Sequence, residues 1–153
     1  MSARLFRGFN TYFMDGEYPN IYRQTPREPK AANTLVHQFA DAWFHDRFGV
    51  RARSATILCT TLVEQASLYA GATGSLAEIV PLGDYRVIYS TRVKDFLDYV
   101  SDGVPAVQEA VEAWLASKDY VCVNHLAHVP HGQGEIMLSC DRFALRNMGR
   151  KSA

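Results

Sequence analysis

The sequence predicts an α+β fold on a single domain spanning residues 1–153. Three observations carry that prediction. Apolar residues make up 48% of the chain and charged residues 21%, an ordinary globular balance, and 153 residues suffice for a hydrophobic core without staples. Strand-like and helix-like stretches are interspersed without the regular alternation of a doubly wound sheet. Neither GxGxxG after a strand nor GxxxxGKS/T occurs, so any nucleotide must be held without the two standard phosphate loops. No internal repeat, low-complexity tract or linker divides the chain.

The N-terminal 20 residues are rich in aromatic residues, glycine and turn formers. In PNIYRQTPREPK, the prolines permit only a short extended segment around Ile21 to Gln24. NTLVHQFADAWFHDRFG places Leu35, Val36, Phe39, Ala40, Trp43, Phe44 and Phe48 on a helical stripe, with Asn33 or Thr34 as cap and Gly49 as stop. VRARSATILCTT reads as a strand entering the core, and LVEQASLYAG as a short helix closed by Gly71. LAEIVPLGDYRVIYS suggests two strands around Pro81–Gly83. TRVKDFLDYVS and VPAVQEAVEAWLAS carry helical spacing. DYVCVNHLAHV and EIMLSCDRFALR read as strands, with PHGQG between them.

Lysine plus arginine balance aspartate plus glutamate at 16 each, so no global field recommends nucleic acid or an anionic membrane. Three widely spaced cysteines do not suggest a disulfide framework, and reduced thiols in a cytoplasmic protein are expected. The first residues hold no uninterrupted apolar run, so neither a signal peptide nor a membrane anchor is expected. His125, His128 and His131 recur at intervals of three, which on a strand sends alternate members to opposite faces. No shared zinc site is expected, while His131 is a candidate for lining a substrate cleft. Cys59 and Cys140 read as packing residues.

Three polar stations end or interrupt the apolar strands. Arg23 lies in NIYRQTPR, Thr60 and Thr61 end SATILCTT, and Gln133 and Glu135 open HGQGEIMLS. Two residues is the period of a strand, so Gln133 and Glu135 are expected on one face. In this chain order the set resembles the ADP-ribosyltransferases of the cholera- and pertussis-toxin class. Those enzymes carry YR-x-D-x-R-x-P, Ser-Thr-Ser, and Glu-x-Glu or Gln-x-Glu on successive strands. The counterparts here are Tyr22–Arg23 with Arg27 and Pro29, then Cys59–Thr60–Thr61, then Gln133–Gly134–Glu135. Cys59 stands where the family usually has its first serine, and Thr25 where it often has aspartate. LFRGF also looks like the start of the family's first strand, which makes Arg7 a rival to Arg23.

The resemblance implies two small packed, mainly antiparallel β-sheets with peripheral helices and NAD, as co-substrate, in the crevice between them. It implies an NAD-dependent mono-ADP-ribosyltransferase in which Glu135 is the essential carboxylate and Gln133 orients the acceptor. Arg23 or Arg7 binds NAD, Thr60 and Thr61 support the site, with Thr60 able to bond Glu135, and Tyr22, Tyr69 or Tyr85 stacks on nicotinamide. Breaking the nicotinamide–ribose bond develops an oxocarbenium ion, which a carboxylate beneath the ribose stabilises. Glutamine at position 133 implies a neutral acceptor, either a non-arginine protein side chain or a nucleic-acid base. A toxin or defence effector restrained by an inhibitory partner, such as an antitoxin, fits this picture by family analogy. An NAD glycohydrolase and a non-catalytic interaction module of the same fold are the alternatives.

Overall fold

The computed structural model describes residues 2–150; residue 1 and residues 151–153 of the expected domain lie outside the described residues. In chain order come β1 (Leu5–Phe9), β2 (Gly16–Pro19), a 3-10 turn at Ile21–Arg23, α1 (Thr34–Phe48), β3 (Ile57–Thr60) and α2 (Val63–Ala70). β4 (Ser75–Tyr89), α3 (Asp98–Ser101), α4 (Gln108–Ser117), β5 (Val121–Val123), a 3-10 turn at Leu126–His128 and β6 (Glu135–Arg150) complete it. The α+β expectation holds.

Among the described residues all strands join one antiparallel sheet of six, in the order β2-β6-β3-β1-β4-β5, with β4 and β6 also paired to each other. This corrects the expectation of two small sheets. The reason lies in β4, which the sequence presents as two strands around Pro81–Gly83. Leu82 faces Arg142 while Tyr85 faces Cys140, so β4 carries one extra residue there. The bulge, with Gly83 at φ 68°, bends the strand without breaking it. A single β4–β6 ribbon therefore runs through the whole sheet.

Alternation along β6 sends Ile136, Leu138 and Cys140 into one core cluster, with Leu5, Ile57 and Val87. Met137 points to the other face, where Val36, Ala40 and Phe44 of α1 and Val111 and Leu115 of α4 cover the sheet. The stripe expected for α1 is thus its buried face, although Leu35 at its start is exposed. Asn33 caps α1 by accepting from the backbone N–H groups of Leu35 and Val36, and Gly49 ends it in the left-handed conformation. Gly71 closes α2 as expected.

Elsewhere local polar bonds displace the expected elements. Ile21–Arg23 is a 3-10 turn rather than extended, because Asn20 accepts from the Tyr22 N–H. TRVKDFLDYVS is helical only over Asp98–Ser101; the Asp98 side chain accepts from the Lys94 N–H and Asp95 from the Leu97 N–H, which stabilises turns instead. Residues 104–107 precede α4, and Val107 is exposed. Strand β3 begins only at Ile57, since residues 51–55 turn under the hold of Asp41 and Arg27. Among the described residues, no helix is long and apolar enough to cross a membrane.

Candidate functional site

Three adjacent strands bring one row of residues together. Phe6 of β1 faces Thr60 of β3, and Thr60 faces Glu135 at the first position of β6. Directly opposite residues share a face of the sheet. Phe6–Thr60 is the one register pair between β1 and β3. Arg7, next along β1, donates to the Leu58 carbonyl at 2.8 Å, bridging the two strands with a side chain. A cleft of about 350 Å³ opens here, lined among others by Arg7, Arg27, Arg53, Thr60, Tyr69 and Glu135.

Glu135 is held at both backbone and side chain. Its N–H donates to the Lys94 carbonyl at 2.9 Å. Its side chain is 12% exposed, and Oε1 accepts from Arg53 Nη1 at 2.7 Å. Burial pushes the Glu135 carboxyl above the usual carboxylate range, the Arg53 charge opposes that shift, and the Asp95 carboxylate adds to it. Arg53 lies with its guanidinium carbon 4.1 Å from the centre of the Phe96 ring, and Nη1 also lies 3.4 Å from Met137 Sδ. Its Nε is buried without a hydrogen-bond partner.

Arg27 packs over the Tyr22 ring at 4.0 Å and donates to the Arg53 and Thr56 carbonyls. Burial, with the charge of Arg7 adding to it, pulls the Arg27 guanidinium down to about 10. It is still charged at neutral pH. Burial pushes the Cys59 thiol up to about 12, so this residue is packing rather than nucleophile. At the mouth of the cleft, the Tyr69 hydroxyl of α2 donates to the Asp95 carboxylate and accepts from Gln65 Nε2 at 2.9 Å. Desolvation of that hydroxyl and the Asp95 bond both raise the Tyr69 phenol, so it stays a donor at any physiological pH.

The expected site residues divide into two sets. Glu135, Thr60, Arg7 and Tyr69 line the same cleft. Arg23 does not. It sits at a separate polar groove, paired with Asp141 at 3.2 Å and bonded to Ser139 at 3.1 Å. Of the two candidate arginines it is therefore Arg7 that reaches the cleft, because LFRGF and not NIYR forms the strand next to β3. Gln133 is also displaced from its expected role. It is 5% exposed, and its amide donates to the Ser90 and Val93 carbonyls. Strand alternation fails there because β6 starts only at Glu135.

The threonines act on the backbone of this turn rather than on Glu135. The Gln133 carbonyl accepts from Thr61 Oγ1 at 2.6 Å, from the Thr61 N–H and from Thr60 Oγ1, while Thr60 Oγ1 accepts from the Leu62 N–H. Tyr22 reaches the cleft wall, whereas Tyr85 lines the Arg23 groove. His131 is exposed and is not among the cleft-lining residues. Among the described residues, no group of His, Cys, Asp and Glu is arranged to hold a metal ion.

Arg53 is the residue that sequence reading missed. RARSA carries no strand alternation and no motif, and its significance comes from a partner more than eighty residues away. The only local signal is an arginine between Ala52 and Ser54, just before an apolar strand. In comparisons with known proteins, no family model matches the chain, and neither curated proteins nor solved structures give a match.

Proposed function

We propose that the cleft is the NAD site of a mono-ADP-ribosyltransferase, with Glu135 as its working carboxylate and Arg7 as the cation that receives the diphosphate. The observation that carries this reading is the Phe6–Thr60–Glu135 row flanked by Arg7, which gives the resemblance its arginine, hydroxyl and acid on three neighbouring strands. In the reaction, the nicotinamide–ribose C–N bond breaks and its electron pair leaves with neutral nicotinamide. The oxocarbenium ion that remains is stabilised by the Glu135 carboxylate, and an acceptor nucleophile on an intracellular macromolecule bonds to the same carbon and loses its proton. Arg27 and Arg53 add positive charge to a cleft suited to the dianionic diphosphate of a dinucleotide. An inhibitory partner restraining such an enzyme belongs to the same proposal.

One observation favours a second reading. Gln133 is bonded inward and offers an acceptor nothing, which suits water as the nucleophile and hence an NAD glycohydrolase. Incubating lysate with labelled NAD, then digesting the product with protease or nuclease, separates the readings. Transfer leaves label on protein or nucleic acid; hydrolysis releases nicotinamide and free ADP-ribose. Glu135→Gln should reduce either activity by roughly a hundredfold or more. A native protein that neither consumes NAD nor binds it refutes both.

A further inference from the structure

We propose that Arg53 is the positioning residue for Glu135, aiming that carboxylate along one wall of the cleft and keeping it charged there. The inference rests on the reading of Glu135 as the working carboxylate. Arg53 is itself anchored before it meets its partner. Its N–H and that of Ser54 donate to Asp41 Oδ1 at 3.0 and 3.1 Å, and Ser54 Oγ adds a bond to Oδ2. Asp41 is a buried residue of α1, so the turn is tied to the helix layer. From the other side, Arg27 grips the Arg53 and Thr56 carbonyls. The guanidinium then rests on the Phe96 ring.

An ion pair serving stability alone has little use for this scaffold. Replacing a buried pair by apolar groups is commonly neutral, whereas removing one partner strands a charge. Holding a working group within a narrow range of directions does require a supporting shell whose own rotamers are locked. Among the other groups around Glu135, the Phe96 N–H is the one that also bonds the carboxylate, and it brings no full charge. Asp95 repels it from the loop before α3, where the Phe96 N–H contributes a bond. Tyr120, just before β5, and Tyr69, from α2, both feel its charge. Arg7 and Arg27 line the cleft but donate to backbone carbonyls.

Arg53→Met keeps an unbranched stem and removes the charge. Carbon-13 NMR of labelled glutamate, with the Glu135 signal identified by its loss in Glu135→Gln, reads the carboxylate directly. The Glu135 midpoint in Arg53→Met should rise by at least about one pH unit, a tenfold smaller ratio of ionised to protonated acid at a given pH. The sign on stability is fixed. An acid whose folded midpoint lies above its unfolded one contributes stability below the unfolded value, and that contribution is lost as pH rises through the folded value. Melting of Arg53→Met should therefore fall, relative to the Arg53→Met/Glu135→Gln double variant, as pH rises from the ordinary carboxylate range through the raised Glu135 midpoint. A single variant too unstable to study at neutral pH is measured at the acid end of that window.

Arg53→Lys retains charge without the planar fork. It should leave the Glu135 midpoint near that of the native protein while lowering NAD turnover tenfold or more. An unmoved midpoint in Arg53→Met overturns the charge role, and full turnover in Arg53→Lys overturns the aiming role. The titration needs no turnover, so a native protein inert toward NAD refutes the transferase reading separately.

Discussion

Gly8 lies beside Arg7 on β1, at the closest approach of α2. A methyl group on its Cα would sit 2.1 Å from the Ala66 carbonyl oxygen and 2.5 Å from the Ala70 nitrogen. Both are backbone atoms, so no rotamer relieves the overlap. Ordinary contact for a Cβ begins at 3.4 Å, and α2 must therefore retreat by about 1.3 Å in Gly8→Ala. Overpacking costs ~1–3 kcal/mol where side chains can yield, and with only backbone to move the upper end, about 3 kcal/mol, is expected. In a chain of this length 1 kcal/mol moves the melting temperature by about 2–4 °C, so the expected fall is roughly 6–12 °C. Circular dichroism melts measure it. Gly16→Ala is the control, because the nearest atom to its new methyl is Tyr18 Cε2 at 3.8 Å, ordinary contact. That variant should stay within about 0.5 kcal/mol of the native protein. The site should respond as well, since α2 carries Tyr69 and its bond to Asp95 across the cleft mouth. A Gly8→Ala protein melting within about 2 °C of the native one would falsify the tight β1–α2 contact.

Two further outcomes test how the site residues divide. Arg7→Met should weaken NAD binding, measured by calorimetry, by ~1.5–3 kcal/mol, the worth of a hydrogen bond to a charged group. Arg23→Met, in the separate groove, should leave that affinity unchanged, and the reverse ranking would return the role to Arg23. Gln133→Ala strips donors from the Ser90 and Val93 carbonyls and should lower unfolding free energy by ~1–3 kcal/mol in urea titrations. A Gln133→Ala protein of native stability whose only change is acceptor preference would restore its orienting role.

What could be read from the sequence follows the reach of the forces involved. α1 was legible because its cap, its stripe and its terminal glycine all lie within one helix. Glu135 and Thr60 were legible as polar residues at strand ends, and their direct pairing follows once β3 and β6 align. The choice between Arg7 and Arg23 was not, because it depends on which segment lies beside β3, a contact between residues far apart in the chain. At Gln133 a period of two does not apply, because that residue lies two positions before the strand begins. The 91–97 stretch misled because its aspartates bond neighbouring N–H groups and favour turns over the helix its apolar spacing suggests.

The central place of β6 in the sheet has a consequence in time. It pairs with β2, β3 and β4, yet it is the last of the described strands to leave the ribosome. A nascent chain carries Arg7 and Thr60 while the acid opposite them does not yet exist. Glu135 follows Arg7 after on the order of a hundred residues of synthesis, or ~10 s at common elongation rates. Whatever chemistry the cleft performs cannot start on a half-made chain, and translation itself supplies the delay.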